Sequence, residues 1–427
     1  MGISNIIFAL ILIGAGILFT INIRRVISNI RLGRELDRSD KKSDRWKTMI
    51  RVALGQSKMA TRPFAAILHL VVYAGFILIN IEMLEIVIDG VAGTHRVFAE
   101  PLGSFYTFII NFFEILAVLV AVACLIFLVR RNFKKVKRFQ STDLKGFAFK
   151  DANLILITEV LLMSALLLMN AADPTQSFII SENLKALLPT DLHALHIIEQ
   201  SAWWFHIVGV LFFLNYLPYS KHLHIIWAFP NTFFSNLNPK GKFNNMESVT
   251  REVKLMMDPT ADPFAAQPAV EGAPQRFGAK DVTDLTWINI MNAYTCTECG
   301  RCSSSCPANI TGKKLSPRKI MMDVRDRVEE LGAAKRKNGA DFHDGKFLVG
   351  DYITDEEIWA CTSCNACVQE CPVNIDPLAI IVDLRRYLVM EESKLPVELA
   401  GMATNIENNQ APWQFSPADR LNWANEA

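Results

Sequence analysis

The chain has 427 residues, 51% hydrophobic and 20% charged, with 44 Lys and Arg against 43 Asp and Glu. That balance excludes a disordered segment and a small disulfide scaffold. The net charge of +1 conceals a division, because there are 23 basic and 16 acidic residues before Lys240 (+7) and 21 and 27 from Lys240 onward (−6).

Five apolar stretches run roughly from Ile3 to Ile23, Phe64 to Ile88, Ser104 to Val129, Asn153 to Asn170 and Ile197 to Leu217. Each approaches the length of about 20 helical residues that crosses a bilayer core. A buried core helix is the plain alternative for any one of them, but five in succession with so little charge read as membrane spans. The opening Met1-Gly2-Ile3-Ser4-Asn5 lacks the basic start of a secretory signal, so the first span is expected to be retained.

Lys and Arg in the short loops set the orientation. Arg24 to Arg62 holds twelve basic residues and Arg130 to Lys150 holds eight, whereas Asp89 to Gly103 and Ala171 to Asp191 hold only Arg96 and Lys185. The expected topology is multi-pass in a bacterial cytoplasmic (inner) membrane, with the N-terminus outside. Both basic loops and everything after the fifth span are then cytoplasmic.

Ionisable and ligating side chains inside spans are costly and usually functional. His69 lies in the second span near its cytoplasmic end, and the fifth span with its extension carries His193, His196, His206, His222 and His224. On a continuous helix the eighteen residues from His206 to His224 make five turns, about 27 Å, which places one near each membrane surface. His224 and His69 then share a depth on neighbouring antiparallel helices, the arrangement for bis-histidine ligation of a b-type haem. A packing role is the alternative for each. Glu82, Glu85, Glu114 and Glu159 also fall within spans, with Glu114 the deepest and the candidate for proton or quinone chemistry. His193 and His196, with Glu199, are candidates for a quinone headgroup.

Trp204-Phe205-His206-Ile207-Val208-Gly209, Leu217-Pro218-Tyr219-Ser220-Lys221 and His224-Ile225-Ile226-Trp227 resemble the fifth span of the respiratory nitrate reductase gamma subunit family. The resemblance implies five spans and two b haems over about residues 1–235. In that family the second span supplies two histidines ten residues apart; the first matches His69, but the second falls at Ile79, which cannot bind iron. The inner haem on His69 and His224 is therefore supported. An outer haem on His206 needs Met83, His95, His193 or His196 as a substitute ligand.

Residues 236–280 are polar and proline-rich and read as a linker. Two matching runs follow: Cys296, Cys299, Cys302 and Cys306 before Pro307, and Cys361, Cys364, Cys367 and Cys371 before Pro372. Both read C-x2-C-x2-C-x3-C-P, the run that holds a [4Fe–4S] cluster, in which the fourth cysteine of each run ligates the other cluster. One cluster is thus assigned to Cys296, Cys299, Cys302 and Cys371, and the second to Cys361, Cys364, Cys367 and Cys306. Zinc or disulfides are the alternatives, but zinc commonly takes spaced pairs and a cytoplasmic domain keeps its thiols reduced. Cys124, mid-span, is read as a packing residue.

The 54 residues between Cys306 and Cys361 exceed the needs of a minimal ferredoxin and contain helix-forming sequence. About Trp287 to Glu392 resembles the α-helical dicluster ferredoxin family of heterodisulfide reductase and succinate dehydrogenase electron-transfer subunits. Asn405 to Trp413 and Pro417 to Ala424 resemble the segment that links such domains to a cysteine-rich CCG-type domain. No CCG motif follows, so the resemblance implies that this domain is a separate polypeptide.

The expected fold class is all-α: a five-helix transmembrane bundle (1–235), the linker (236–280), a cytoplasmic α-helical ferredoxin domain (281–394) and a partner-docking arm (395–427). The function read from it is electron transfer between a cytoplasmic flavin-containing or CCG-domain oxidoreductase subunit and the quinone pool, through two [4Fe–4S] clusters and haem b. Two alternatives are a quinol-driven heterodisulfide reductase-like subunit and a structural membrane anchor with non-conducting sites. Membrane lipid and quinone are the further expected contacts, and no nucleic acid is expected.

Overall fold

A computed structural model describes residues 2–134, 136–260 and 276–425; part of the expected linker, 261–275, lies outside the described residues. Among those described, the fold is helical without strands. Five helices are long and apolar enough to cross a membrane: α1 (Ile3–Ile30), α2 (Pro63–Ala92), α3 (Ser104–Asn132), α4 (Phe147–Ala172) and α5 (Leu192–Tyr216). Pro63 opens α2, where its missing N–H costs nothing, and Gly93 at φ 77° ends it. Asp191 caps α5 by accepting from the Ala194 N–H at 2.9 Å.

Only 11–39% of each apolar window is buried inside the protein. Leu10, Ile67, Phe108 and Phe212 point outward, more than half exposed. An apolar exterior around all five helices fits lipid and not water.

The two ends of the bundle differ. At the end holding the N-terminus, buried Arg96 donates to Asp173 (2.9 Å), Asn170 (2.8 Å) and Tyr106 (3.3 Å), and the Tyr106 hydroxyl donates to Glu85 (2.7 Å). Glu114, expected to serve proton or quinone chemistry, instead accepts the Ile180 and Ser181 backbone N–H groups at 2.8 and 2.9 Å. Both its oxygens are committed to anchoring the α4–α5 connection.

At the other end, α5 stops short of His224. Pro218 cannot continue the ladder, so two 3₁₀ turns, Leu217–Tyr219 and Lys221–Leu223, intervene before α6 (His224–Phe233). Asp151 of α4 fixes the break, accepting from the Tyr216 and Ser220 hydroxyls at 2.6 and 2.7 Å. His206 and His224 therefore do not share a continuous helix.

The cysteine-bearing region packs on this second end through α7 (Trp287–Thr295) and α8 (Pro317–Asn338), and α9 (Pro377–Met390) packs against both. Val26, Ile30, Phe213, Leu217 and Leu223 of the bundle form one core with Leu285, Ile290, Met291 and Ile320. Backbone pairing joins Arg34 to Leu285 (2.7 Å) and Trp287 to Arg34 (3.0 Å). Gly332 of α8 lies so close to α1 that a Cβ there would stand 2.1 Å from Asn29 Oδ1.

Charge complementarity across the contact is present but buried. Arg318, 1% exposed, donates to both Asp143 oxygens at 2.9 and 2.7 Å. Buried pairs are screened by salt far less than exposed ones. Because removing one partner leaves the other charge uncompensated, Arg318→Met is expected to cost about 3–5 kcal/mol, read as a lower thermal unfolding midpoint.

The chain ends in α10 (Val397–Asn409) and a 3₁₀ segment, Pro417–Ala424. Val397, Trp413, Phe415, Leu421 and Trp423 are each more than half exposed.

Candidate redox centres

Each cysteine run folds into a tight loop with the same pair of left-handed residues. Glu298 (φ 54°) and Gly300 (φ 70°) in the first run correspond to Ser363 (φ 55°) and Asn365 (φ 64°) in the second. Alternating backbone handedness turns successive N–H groups toward one concavity, a nest that favours an anionic group. Gly300 has a second reason to lack a side chain: a Cβ would lie 2.5 Å from Arg318 Nη1.

Cys296, Cys299, Cys302 and Cys371 line one small cavity with Cys367, Arg301 and Val373. Cys306 lies within electrostatic reach of Cys361 and Cys367. The fourth cysteine of each run therefore lies near cysteines of the opposite run. The Ile375 N–H donates to Cys371 Sγ at 3.3 Å and the Ser363 N–H to Cys361 Sγ at 3.4 Å. Burial pushes the Cys296 thiol up to about 12 and the Cys371 thiol to about 11. Such thiols ionise only when a cation supplies the charge, so the donor set suits iron and would be neutral without it.

The cluster loops are gripped from the bundle side. Glu298, between Cys296 and Cys299, pairs with Arg325 (2.7 Å) and with Lys221. Burial opposes ionisation of Glu298, but these two cations hold its carboxyl below the usual range. From the α1–α2 connection, the Lys58 ammonium donates to Val368 O (3.1 Å), Cys371 O (3.0 Å) and Asn374 Oδ1 (2.9 Å).

Three histidines gather beside this grip. The His69 and His224 rings have centroids 6.5 Å apart at 46°. A metal taken by one nitrogen of each ring at about 2.0 Å sets centroids about 6 Å apart, so the pair fits a shared metal. His69 Nδ1 donates to Gln56 Oε1 at 3.0 Å and His224 Nδ1 to Lys221 O at 3.1 Å. With both Nδ1 protons committed, each ring keeps Nε2 as its ligating lone pair. His222, 5.5 Å from His224 and against Phe213, completes the group; nothing in the sequence pattern gave it a role.

His206 is buried in the bundle, its Nδ1 donating to Leu162 O at 2.9 Å. Ile79 is buried in the same bundle core as Leu162 and Ile207. Two of the substitute ligands considered for His206 are held elsewhere: His95 Nε2 lies 3.1 Å from Glu199 and 3.7 Å from Asp173, and His196 Nδ1 is 3.7 Å from Glu199. His193 is exposed and Met83 packs in the apolar core.

His95 and Glu199 border a cavity of about 240 Å³ at the end remote from the cysteines, with Glu85, Arg96 and Trp203. His95, Asp173 and Glu199 present ligand atoms within 4.8 Å of one another. The Arg96 guanidinium already occupies Asp173, which suits the trio to holding a proton more than a cation. The hydrogen bond to Glu199 raises the His95 imidazole above its usual range. Glu82, also buried, lies 3.6 Å from the Arg96 guanidinium.

Comparison with known proteins agrees with the cysteine geometry. Residues 295–375 match a family described as a 4Fe-4S dicluster domain. The chain is 29% identical over 461 aligned positions to a probable iron-sulfur-binding oxidoreductase, FadF, of Bacillus subtilis, covering 99% of this chain and 61% of that one. It is 25% identical over 432 positions to an EtfAB:quinone oxidoreductase of Syntrophomonas wolfei, covering 92% and 55%. A probable membrane-anchored ferredoxin of Chromohalobacter salexigens is 33% identical over 171 positions, 36% of this chain and 25% of that one. The chain thus spans about three fifths or less of the length of these relatives. No solved structure matches it. The cysteine-bearing region matches a 4Fe–4S dicluster domain and is similar also to heterodisulfide reductase subunits, in a chain that carries five helices long and apolar enough to cross a membrane.

Proposed function

We propose that this chain is a membrane-embedded electron conduit between a cytoplasmic oxidoreductase and the quinone pool. One observation carries the reading: three residues before His224, Lys221 reaches into the first cysteine loop and pairs with Glu298. The cluster loop and the histidine pair are thereby held at one end of the bundle. The eight cysteines would hold two [4Fe–4S] clusters in the crossed arrangement, and His69 and His224 would hold a b-type haem, which supplies one-electron transfer when bound. The basic loops support a cytoplasmic position for this end.

The donor we propose is a reduced flavoprotein, the chemistry named for the Syntrophomonas relative, or a CCG-domain oxidoreductase; the exposed Trp413, Phe415 and Trp423 of the arm are suited to its docking. A quinone headgroup fits the remote cavity. Its reduction takes two electrons and two protons; the clusters would supply the electrons, and His95 with Glu199 would hand on protons drawn from water at the open end. His206 lies seven residues from Glu199, about 10 Å along α5, between that cavity and the cluster-facing end. Flow in the opposite sense, from quinol to a disulfide-reducing partner, is the second reading, favoured by the relation to heterodisulfide reductase subunits.

The test is reoxidation of the dithionite-reduced full chain in lipid nanodiscs by a short-chain quinone, followed by cluster EPR and visible absorption. Rapid reoxidation is expected, slowed at least tenfold by Glu199→Gln. Clusters that stay reduced in excess quinone would leave only an anchor.

A further inference from the structure

By sequence the connection between α1 and α2 is a basic loop that orients the chain. In the structure its last seven residues bond to both cysteine loops and to His69. After a π-helical turn, Ile50–Leu54, the chain reverses at Gln56, whose φ of 48° is left-handed. A non-glycine residue holds that conformation at a cost of about 1–3 kcal/mol only where its surroundings require it. Here the reversal delivers the Gln56 amide to His69 Nδ1 at 3.0 Å.

Two residues on, Lys58 has all three ammonium protons committed to the second cysteine loop, on Val368 O, Cys371 O and Asn374 Oδ1. Its own carbonyl accepts from Arg301 of the first loop at 3.1 Å. Arg62 then reaches Ser304 of the first loop (3.2 Å) and Glu370 of the second (3.4 Å). No other short segment among the described residues bonds to both cysteine loops and to His69.

We propose that Gln56–Arg62 is a positioning strap that sets the reduction potentials of the Cys296, Cys299, Cys302 and Cys371 cluster and of the His69 site, and fixes their spacing. The inference rests on the reading of those residues as cluster and haem ligands. Lys58 places a half-buried positive charge on the Cys371 carbonyl, next to the ligating sulfur. A charge there favours the more negative, reduced cluster, and does so more strongly than the same charge in water. Gln56 acts through His69: the hydrogen bond to Nδ1 fixes the ring and tunes the basicity of Nε2. A carboxylate in its place would make the imidazole a stronger donor and favour oxidised iron.

The experiment is a pair of redox titrations on the full, cluster-loaded chain: EPR for the clusters and the α-band for haem. Lys58→Met is expected to lower the reduction equilibrium constant of one cluster at least tenfold, about 59 mV for one electron, while the other changes less than threefold. Lys58→Arg, which keeps the charge, should restore most of it. Gln56→Glu, nearly isosteric, is expected to lower the haem's constant at least tenfold, and Gln56→Leu to broaden or shift its band. Equal shifts of both clusters, or of neither, would overturn the Lys58 assignment. An α-band unmoved in position and potential in both Gln56 variants would overturn the Gln56 assignment. A wild-type chain with cluster signals but no α-band would remove the haem reading and the Gln56 half together, while the Lys58 half is still decided by the cluster titration.

Discussion

Replacing Cys364 and Cys371 together with alanine is expected to abolish both iron–sulfur clusters, although the two residues lie in the same run. The reason is geometric. Cys371 lines a cavity with Cys296, Cys299 and Cys302, so in the proposed crossed arrangement its loss removes the fourth ligand of the first-run cluster, while Cys364 would belong with Cys361, Cys367 and Cys306. The control pair is Cys299→Ala with Cys371→Ala. Those two residues are far apart in sequence but share a cavity, so their joint loss should cost one cluster only. With about eight irons in a chain holding two four-iron clusters, the first pair should leave almost none and the second about four. Iron content and EPR spin quantification read this directly. If the first pair retains about four irons, each run holds its own cluster and the crossed arrangement is wrong.

The cysteine spacing alone carries this prediction, because a C-x2-C-x2-C-x3-C-P run is a local constraint: three donors on one turn and a fourth turned away by proline. Apolar length was equally legible for α1 to α5, since a bilayer demands continuous helix. What escaped the sequence depended on where separate segments meet. Pro218 was visible, yet its consequence, the Asp151-fixed break that separates His206 from His224, needed α4 beside it. Glu114 looked free because its partners, the Ile180 and Ser181 N–H groups, lie 66 and 67 residues away. His222 drew no role from spacing, and Lys58 and Gln56 were counted only as part of a basic loop. The Gly300 and Asn365 positions carried a signal, a left-handed former two residues before the third cysteine; Glu298 and Ser363 carried none, for neither residue type favours that conformation.

The second large effect concerns the histidines. His224→Ala and His69→Ala are each expected to abolish the dithionite-reducible α-band, because a haem held as proposed would be left with a single histidine donor. His206→Ala should leave the band in place: among the described residues no second histidine ring faces it as His69 faces His224, and His95 and His196 are both drawn to Glu199. His222→Ala is the sharper control, since His222 sits 5.5 Å from His224 and would be the substitute ligand if the assigned pair were wrong. Reduced-minus-oxidised spectra and haem extraction from the same preparations give the answer. Loss of half the haem in His206→Ala would establish a second site across the bundle and supply the remote cavity with an electron donor about one helical stretch away. Loss of the whole band in His222→Ala with retention in His224→Ala would move the inner ligand by two residues and break its link to the Lys221 carbonyl. The geometry commits to neither of those outcomes: the two rings whose Nδ1 atoms are already occupied, at 6.5 Å and free at Nε2, are His69 and His224.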